Sequence, residues 1–362
     1  MKAAFFYGPN KISIENTNIA TDSNESLILK VLSCSVCSYD VRTFRNGSFK
    51  VNPPVILGHE ICAETINEVE GNNISIKAQQ RVSLYPVVPC LYCWYCNHKK
   101  YNLCSNLKEI GSTLNGGFAE YISIPTTLLE IGGVVPVLDN VTNEEASLIE
   151  PLACCINGIN QIKSMDFESV VILGDGPIGL MQLMLLKRYF PGIRVMIVGK
   201  IKHRLEMAER LGADGIYEIN KDNNYETISK LFIELDGKQS PNLIFVSNNN
   251  IESLRVAYKL ANKNGKVILF SGIKNRFSDA GNPDNSTIID ANFIHYNQIS
   301  VTGSFSSTPE NLKEAMKLVN AGGIRIKDLI THKFELKNLE DALKTSESFQ
   351  GLKSIINKFE DE

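Results

Sequence analysis

SVVILGDGPIGLMQLMLLKRYF, residues 169–190, opens with an apolar run of strand character, turns on glycine and continues with apolar residues at a helical period. Gly174, Gly176 and Gly179 form G-x-G-x-x-G at that junction, with Pro177 and Ile178 inside the motif. Glycine there lets the chain turn tightly and lets its backbone approach a pyrophosphate lying on the helix N-terminus. Alone the motif is weak, because a merely structural glycine turn has the same spelling. Its surroundings strengthen it: RVMIV, LIFVS and KVILFSG follow as buried-strand runs, with helical periods at about 178–189 and 202–211. Strands alternating with helices build parallel β-α-β units, so the expectation is an α/β chain with a Rossmann, doubly wound parallel sheet that binds a dinucleotide.

The same fingerprint calls for an acidic residue at the end of the second strand, to hold the ribose 2′-hydroxyl. Here that strand ends VMIVGKIKHRL, which puts Gly199 at the position, followed by Lys200, Lys202, His203 and Arg204. Without a carboxylate to repel a 2′-phosphate and with cations to attract one, NADP(H) is favoured over NAD(H). Gly199, Lys200 and Arg204 are the candidate contacts. The alternative is an ordinary solvated helix face, with NAD held through backbone.

Residues 1 to about 150 have a different texture. Short alternating runs such as SLILKVLSCSV, RVSLYPVV and FAEYISIP, separated by Gly, Pro and Asn, predict a mostly β domain. After about 295 mixed segments return, with helices near PENLKEAMKLVNAGG and NLEDALKTSES, while the Asn-rich stretch 272–287 reads as an exposed loop. The 362 residues are 43% hydrophobic and 21% charged, enough for a sizeable core and two domains. A net charge of -3 with both signs interspersed gives no electrostatic reason to bind nucleic acid or an anionic membrane. The N-terminus breaks at Gly8-Pro9 before a signal-like apolar run develops, and no stretch is long and apolar enough to span a bilayer. The expected location is therefore the cytoplasm, where clustered thiols more often hold metal than form disulfides.

Nine cysteines bear on that point. Cys90, Cys93, Cys96 and Cys104 follow C-x2-C-x2-C-x7-C, and four thiolates with no open position suit tetrahedral, structural zinc. An iron-sulfur cluster uses similar spacings, and unligated thiols are the plain alternative. A second, dispersed set comprises Cys37 and Asp40 in SCSVCSYDVRTF, His59 and Glu60 in VILGHEICAE, and Glu150 in SLIEPLACC. Singly, each is more often a core or surface residue. Together they supply a thiolate, an imidazole and carboxylates, enough for zinc that keeps a position open for substrate, with Asp40 accepting the far N–H of His59.

In their order along the chain, Cys37-x2-Asp40, Gly58-His59-Glu60, the four-cysteine segment, GGFAEY at 116–121, EPL at 150–152 and GDGPIG at 174–179 resemble the zinc-containing medium-chain dehydrogenases/reductases. The likeness is strongest to the polyol (sorbitol-type) and threonine dehydrogenase branch. It implies a GroES-like catalytic domain from residues 1–150 and 295–362, around a Rossmann domain at 151–294, with catalytic zinc and nicotinamide in the cleft between them. It also implies two zinc ions per chain, a homodimer or homotetramer, and Glu60 and Glu150 as zinc ligands or near neighbours. Sequence does not rank those two. The implied activity is hydride transfer between a nicotinamide cofactor and a secondary alcohol or ketone of a polyol, sugar or sugar phosphate.

Three departures from the family pattern stand out. Tyr39 replaces the Ser or Thr whose hydroxyl relays the substrate proton, Arg42 stands where relatives often carry His, and the usual GDRV turn reads QQRV at 79–82. Arg42 hints at an anionic substrate such as a sugar phosphate. Tyr39 keeps open a rival reading, a catalytically impaired sensor that binds zinc and NADPH.

Overall fold

SLILKVLSCS forms a ten-residue strand, Ser26–Ser35, whose residues Leu27, Leu29 and Val31 are buried in alternation. That period of two is what a strand with one covered face requires. At its end the alternation stops and Ser33, Cys34 and Ser35 are all buried, because both faces are covered there. In the computed structural model, which describes residues 1–19, 26–71, 74–220, 241–273 and 290–360, this strand is the spine of a seven-stranded sheet. Val134–Pro136, Arg81–Leu84, Glu60–Thr65, Ser26–Ser35, Lys353–Lys358 and Ile330–Glu335 follow one another across it, and Tyr121–Pro125 pairs with the first half of the spine. Most of these pairings are antiparallel, and Lys353–Lys358 beside Ile330–Glu335 is the parallel one.

Two registers bring distant residues together. On one side of the spine Ser35 stands opposite Glu60, and on the other it stands opposite Ile355. The ends of three strands far apart in sequence are thereby gathered at one place. The helix Ser38–Asn46 leaves from the same end of the spine, with Cys37 as its N-cap. These elements belong to a compact unit made of Met1–Cys154 and Ser306–Glu362.

The second unit, Cys155–Phe305, holds six parallel strands in the order Gly215–Glu218, Arg194–Gly199, Ser169–Leu173, Leu243–Val246, Lys266–Leu269 and Ser300–Gly303. Every residue of the two central strands is buried, so they read as continuous apolar runs without alternation. Val171, Leu173, Ile244, Val246 and Val267 form the middle of its core. Each such side chain, fully buried, contributes about 1.5–3 kcal/mol relative to exposure. The helix Pro177–Tyr189 comes after the first of these strands, with Gly176 as N-cap and Pro177 in its first turn, where a missing N–H costs nothing. The Asn-rich stretch lies outside the described residues from 274 on. No helix among the described residues is long and apolar enough to cross a membrane.

The QQRV departure falls in a turn. Thr65 Oγ1 donates to Lys77 O (2.6 Å) and accepts from Gln80 N (2.9 Å), while Gln79 holds φ of +58°. A side chain in that left-handed region is strained by about 1–2 kcal/mol, part of which glycine returns as lost chain entropy. We expect Gln79→Gly to raise the unfolding free energy by about 0.5–1 kcal/mol in urea titrations with activity unchanged. A lower denaturation midpoint would contradict this account of the turn.

Candidate active site and metal centres

The four cysteines at 90–104 converge. Cys90 and Cys96 Sγ lie 3.9 Å apart, Cys93 and Cys96 3.5 Å, and Cys93 and Cys104 4.0 Å. Disulfide sulfurs would sit at about 2.05 Å, whereas the edges of a tetrahedron with Zn–S bonds of about 2.3 Å are roughly 3.8 Å. None of the nine cysteines, all among the described residues, is joined in a disulfide. The backbone amides of Cys90 and Asn106 donate to Cys104 Sγ, at 3.2 and 3.4 Å. Backbone N–H groups of Ser105 and Cys96 hold the Cys93 thiol down at about 6, and burial pushes Cys96 up to about 12. Four sulfurs at this spacing fit one ion that displaces their protons.

The second cluster forms where the three strand ends meet. The ligand atoms of Cys37, His59 and Glu60 all lie within 4.8 Å of one another. Cys37 comes two residues after the spine strand, and His59 directly precedes the strand Glu60–Thr65. The register of Ser35 opposite Glu60 brings them together. Gly58 turns the chain into His59 with φ of +92°, and the loop at 116–118 is seated on that turn by Gly117 N to Gly58 O (2.8 Å) and Phe118 N to Leu57 O (3.1 Å). A Cβ at Gly116 would lie 2.2 Å from Gly58 O, which is why GGFAEY needs its first glycine.

Asp40, fully buried, ties the two ligand segments. Its carboxylate accepts Cys37 N at 2.9 Å and Gly58 N at 3.3 Å, and its Oδ1 faces His59 Nδ1 at 3.6 Å. Burial works against a charged imidazole at His59, but the charges of Asp40 and Cys37 outweigh it and hold the pKa well above 6.5. That is an environment built for positive charge, which a divalent cation also satisfies. A sulfur, a nitrogen and an oxygen donor in this array are the donor set of an open zinc site.

Glu150, in the first turn of the helix Ile149–Asn160, lies near enough to feel the charges of His59 and Glu60 but is not one of the three converging ligands. Its carboxylate accepts from Cys154 Sγ at 3.2 Å, and burial raises its pKa to about 6. Tyr39 stands edge-on to His59, ring centroids 5.9 Å apart, with its hydroxyl 3.3 Å from both Ser48 Oγ and Ser112 Oγ. Arg42 is exposed and reaches back one turn to Ser38 Oγ at 3.4 Å.

In the second unit the three glycines of the motif differ in kind. A Cβ at Gly179 would meet Gly174 O at 2.0 Å and one at Gly174 would meet Ser247 O at 2.9 Å, so both are required by packing. At Gly176, φ is -77° and nothing lies within 4 Å of an added Cβ. The protein itself does not need glycine there, but a phosphate drawn onto the helix N-terminus does. The end of the second strand differs from the expectation. Asp175 crosses to it: its Oδ2 accepts Lys200 N (2.8 Å) and Ile201 N (2.7 Å), and a Cβ on Gly199 would lie 2.3 Å from it. A carboxylate is thus present at the strand end, supplied by the glycine loop. Lys200, Lys202 and His203 are exposed, whereas Arg204 is buried, with its charge disfavoured by burial and supported by Asp175.

Comparison with known proteins agrees with both units. Residues 23–132 match the alcohol dehydrogenase GroES-like domain and residues 177–321 the zinc-binding dehydrogenase domain. The D-arabitol-phosphate dehydrogenase of Enterococcus avium is 28% identical over 92% of this chain and 90% of its own. The sorbitol dehydrogenase of Bacillus subtilis is 26% identical over 97% and 94%. Among solved structures, the short chain alcohol dehydrogenase rspB of Escherichia coli CFT073, complexed with NADH, superposes with a TM-score of 0.85 at 25% identity over 99% of both chains. The Rossmann and GroES-like folds, the converging donor sets and the two domain matches make this chain a member of the zinc-binding medium-chain dehydrogenases, a family of oxidoreductases.

Proposed function

We propose that the chain interconverts a secondary alcohol and its ketone on a polyol, sugar or sugar phosphate, using a nicotinamide cofactor and zinc held by Cys37, His59 and Glu60. The convergence of those three ligand atoms within 4.8 Å carries the reading. The names of the Enterococcus and Bacillus relatives, an arabitol-phosphate and a sorbitol dehydrogenase, support the substrate class. Bound there, zinc supplies a Lewis acid that lowers the pKa of a substrate hydroxyl, and the nicotinamide supplies the hydride acceptor. A second zinc among Cys90, Cys93, Cys96 and Cys104 clamps its loop and takes no part in chemistry.

The chain's own residues do the rest. Asp40 fixes the backbone of both ligand segments and orients His59, so the donor set is formed before substrate arrives. Glu150 stays beside the ligands as a buried carboxyl. The proton released by the substrate passes to the Tyr39 hydroxyl, which is hydrogen-bonded to Ser112 and Ser48 and takes the place of the shorter hydroxyl that the family pattern implies. This favours an enzyme over the impaired sensor, since the Tyr39 ring stands edge-on to His59 and its hydroxyl is hydrogen-bonded to two serines.

For the cofactor, exposed Lys200, Lys202 and His203 support NADP(H) over NAD(H), and Asp175 opposes it. Because Asp175 already occupies the amides of Lys200 and Ile201, a 2′-phosphate is held by side chains rather than by backbone.

Three measurements test this. Cys37→Ala should lose one zinc per chain by elemental analysis and abolish NADPH-linked turnover on a panel of polyols, ketoses and their phosphates; two zinc ions retained would refute the ligand assignment. Tyr39→Phe should lower kcat by about 10–100-fold, toward the lower end of general acid–base effects, with KM little changed. An unaltered kcat would remove Tyr39 from the proton path. Asp175→Asn should raise the ratio of kcat/KM for NADP over NAD by about tenfold, the factor that 1.4 kcal/mol of relieved charge repulsion gives. A shift toward NAD would contradict the placement of the 2′-phosphate.

A further inference from the structure

Lys353 lies outside both matched domains, which end at residues 132 and 321. It is one of two cationic side chains buried among the described residues, the other being Arg204 of the second unit. Its strand, Lys353–Lys358, pairs with the spine so that Ile355 faces Ser35, which carries Lys353 to the level of Cys37. There Nζ donates to a carboxylate oxygen of Glu60, to Val36 O at 3.1 Å and to Ser35 Oγ at 3.3 Å. An ammonium has three N–H groups, and these three acceptors use all of them.

Its three hydrogen bonds and the facing Glu60 carboxylate compensate the buried ammonium. Three carboxyl groups, Asp40, Glu60 and Glu150, are buried near the half-buried Cys37, and among the described residues Lys353 is the only permanent cation buried with them. The ion pair also has a directional consequence. Glu60 Oε2 is committed to Lys353, which leaves Oε1 as the one oxygen of this carboxylate outside the ion pair.

We propose that Lys353 is a positioning residue that holds Glu60 to a single free oxygen, so that this carboxylate binds the metal through one atom, weakly enough to leave the ion an open and electrophilic coordination position. The inference rests on the assignment of zinc to Cys37, His59 and Glu60. With Lys353 removed, both oxygens of Glu60 would be available to the ion, which would also lose a neighbouring positive charge. Zinc is then held more tightly and is a poorer acid.

The test is zinc release to a chromogenic chelator from the zinc-loaded chain, in which the four-thiolate ion and the Cys37 ion leave as separate phases. The Cys37 ion is identified by its absence in Cys37→Ala. Lys353→Met should slow its release at least tenfold and lower kcat, while release from the four-thiolate site stays unchanged. Lys353→Met leaves Glu60 buried without its cation, so Glu60→Gln and the neutral pair Glu60→Gln with Lys353→Met are measured beside it. In that background, replacing Lys353 should change release less than threefold. Two zinc ions in the wild type with a release rate unmoved by Lys353→Met would overturn this proposal alone. An equal slowing with and without Glu60 would also overturn it, since the effect would then be one of through-space charge. A wild-type chain whose zinc content and release are the same as those of Cys37→Ala would overturn the zinc reading and this inference together.

Discussion

The site depends on a strand register. Because Ser35 stands opposite Glu60 on one side and opposite Ile355 on the other, the residues at and just beyond those strand ends, Cys37, His59 and Lys353, are delivered to one place. A slip of one residue would turn every side chain of the strand Glu60–Thr65 to the other face, taking Glu60 away from Cys37 and Lys353. Both faces of the spine are buried near Ser35, so such a slip is strongly resisted. The place of these side chains is therefore fixed by the core, which brings the candidate ligands together.

That arrangement gathers negative charge in a dry place. Asp40, Glu60 and Glu150 are all buried, and Cys37 adds a thiol. Each carboxylate meets the problem differently. Asp40 spends its oxygens on backbone amides, Glu60 pairs with Lys353, and Glu150 has its pKa raised to about 6 and takes a thiol donor. Breaking a buried ion pair by removing one partner typically costs about 3–5 kcal/mol, so the Glu60–Lys353 pair is a structural as well as a chemical commitment. The remaining excess of negative charge around His59 is of the kind that a divalent cation would neutralise.

How much of this is legible in the sequence depends on how local each feature is. The glycine motif and the four-cysteine spacing are short-range patterns, and both appear in the structure as a strand–turn–helix junction and a converging set of sulfurs. Cys37, His59 and Glu60 can be paired only through resemblance, since no periodicity links positions 37 and 59. The relation of Glu60 and Glu150, left open by the sequence, is separated by geometry: Glu60 is inside the cluster and Glu150 beside it. Asp175 escapes the fingerprint, which looks for a carboxylate on the second strand, whereas here it arrives from the glycine loop 25 residues earlier, and Gly199 makes the space for it. Lys353 gives no signal at all, lying 293 residues from its partner in a stretch that reads as an ordinary strand. The last parallel strand, Ser300–Gly303, is four residues long with none of them buried, and carries too little apolar character to be read as part of the sheet.

The most direct test is crystallographic. Anomalous difference maps recorded on both sides of the zinc absorption edge, from crystals grown with zinc, should show two peaks per chain. One is expected amid Cys90, Cys93, Cys96 and Cys104, the other in contact with Cys37 Sγ, a ring nitrogen of His59 and one oxygen of Glu60, with Lys353 still on the opposite oxygen. A peak at the four cysteines alone, with Cys37 and His59 turned apart, would contradict the account.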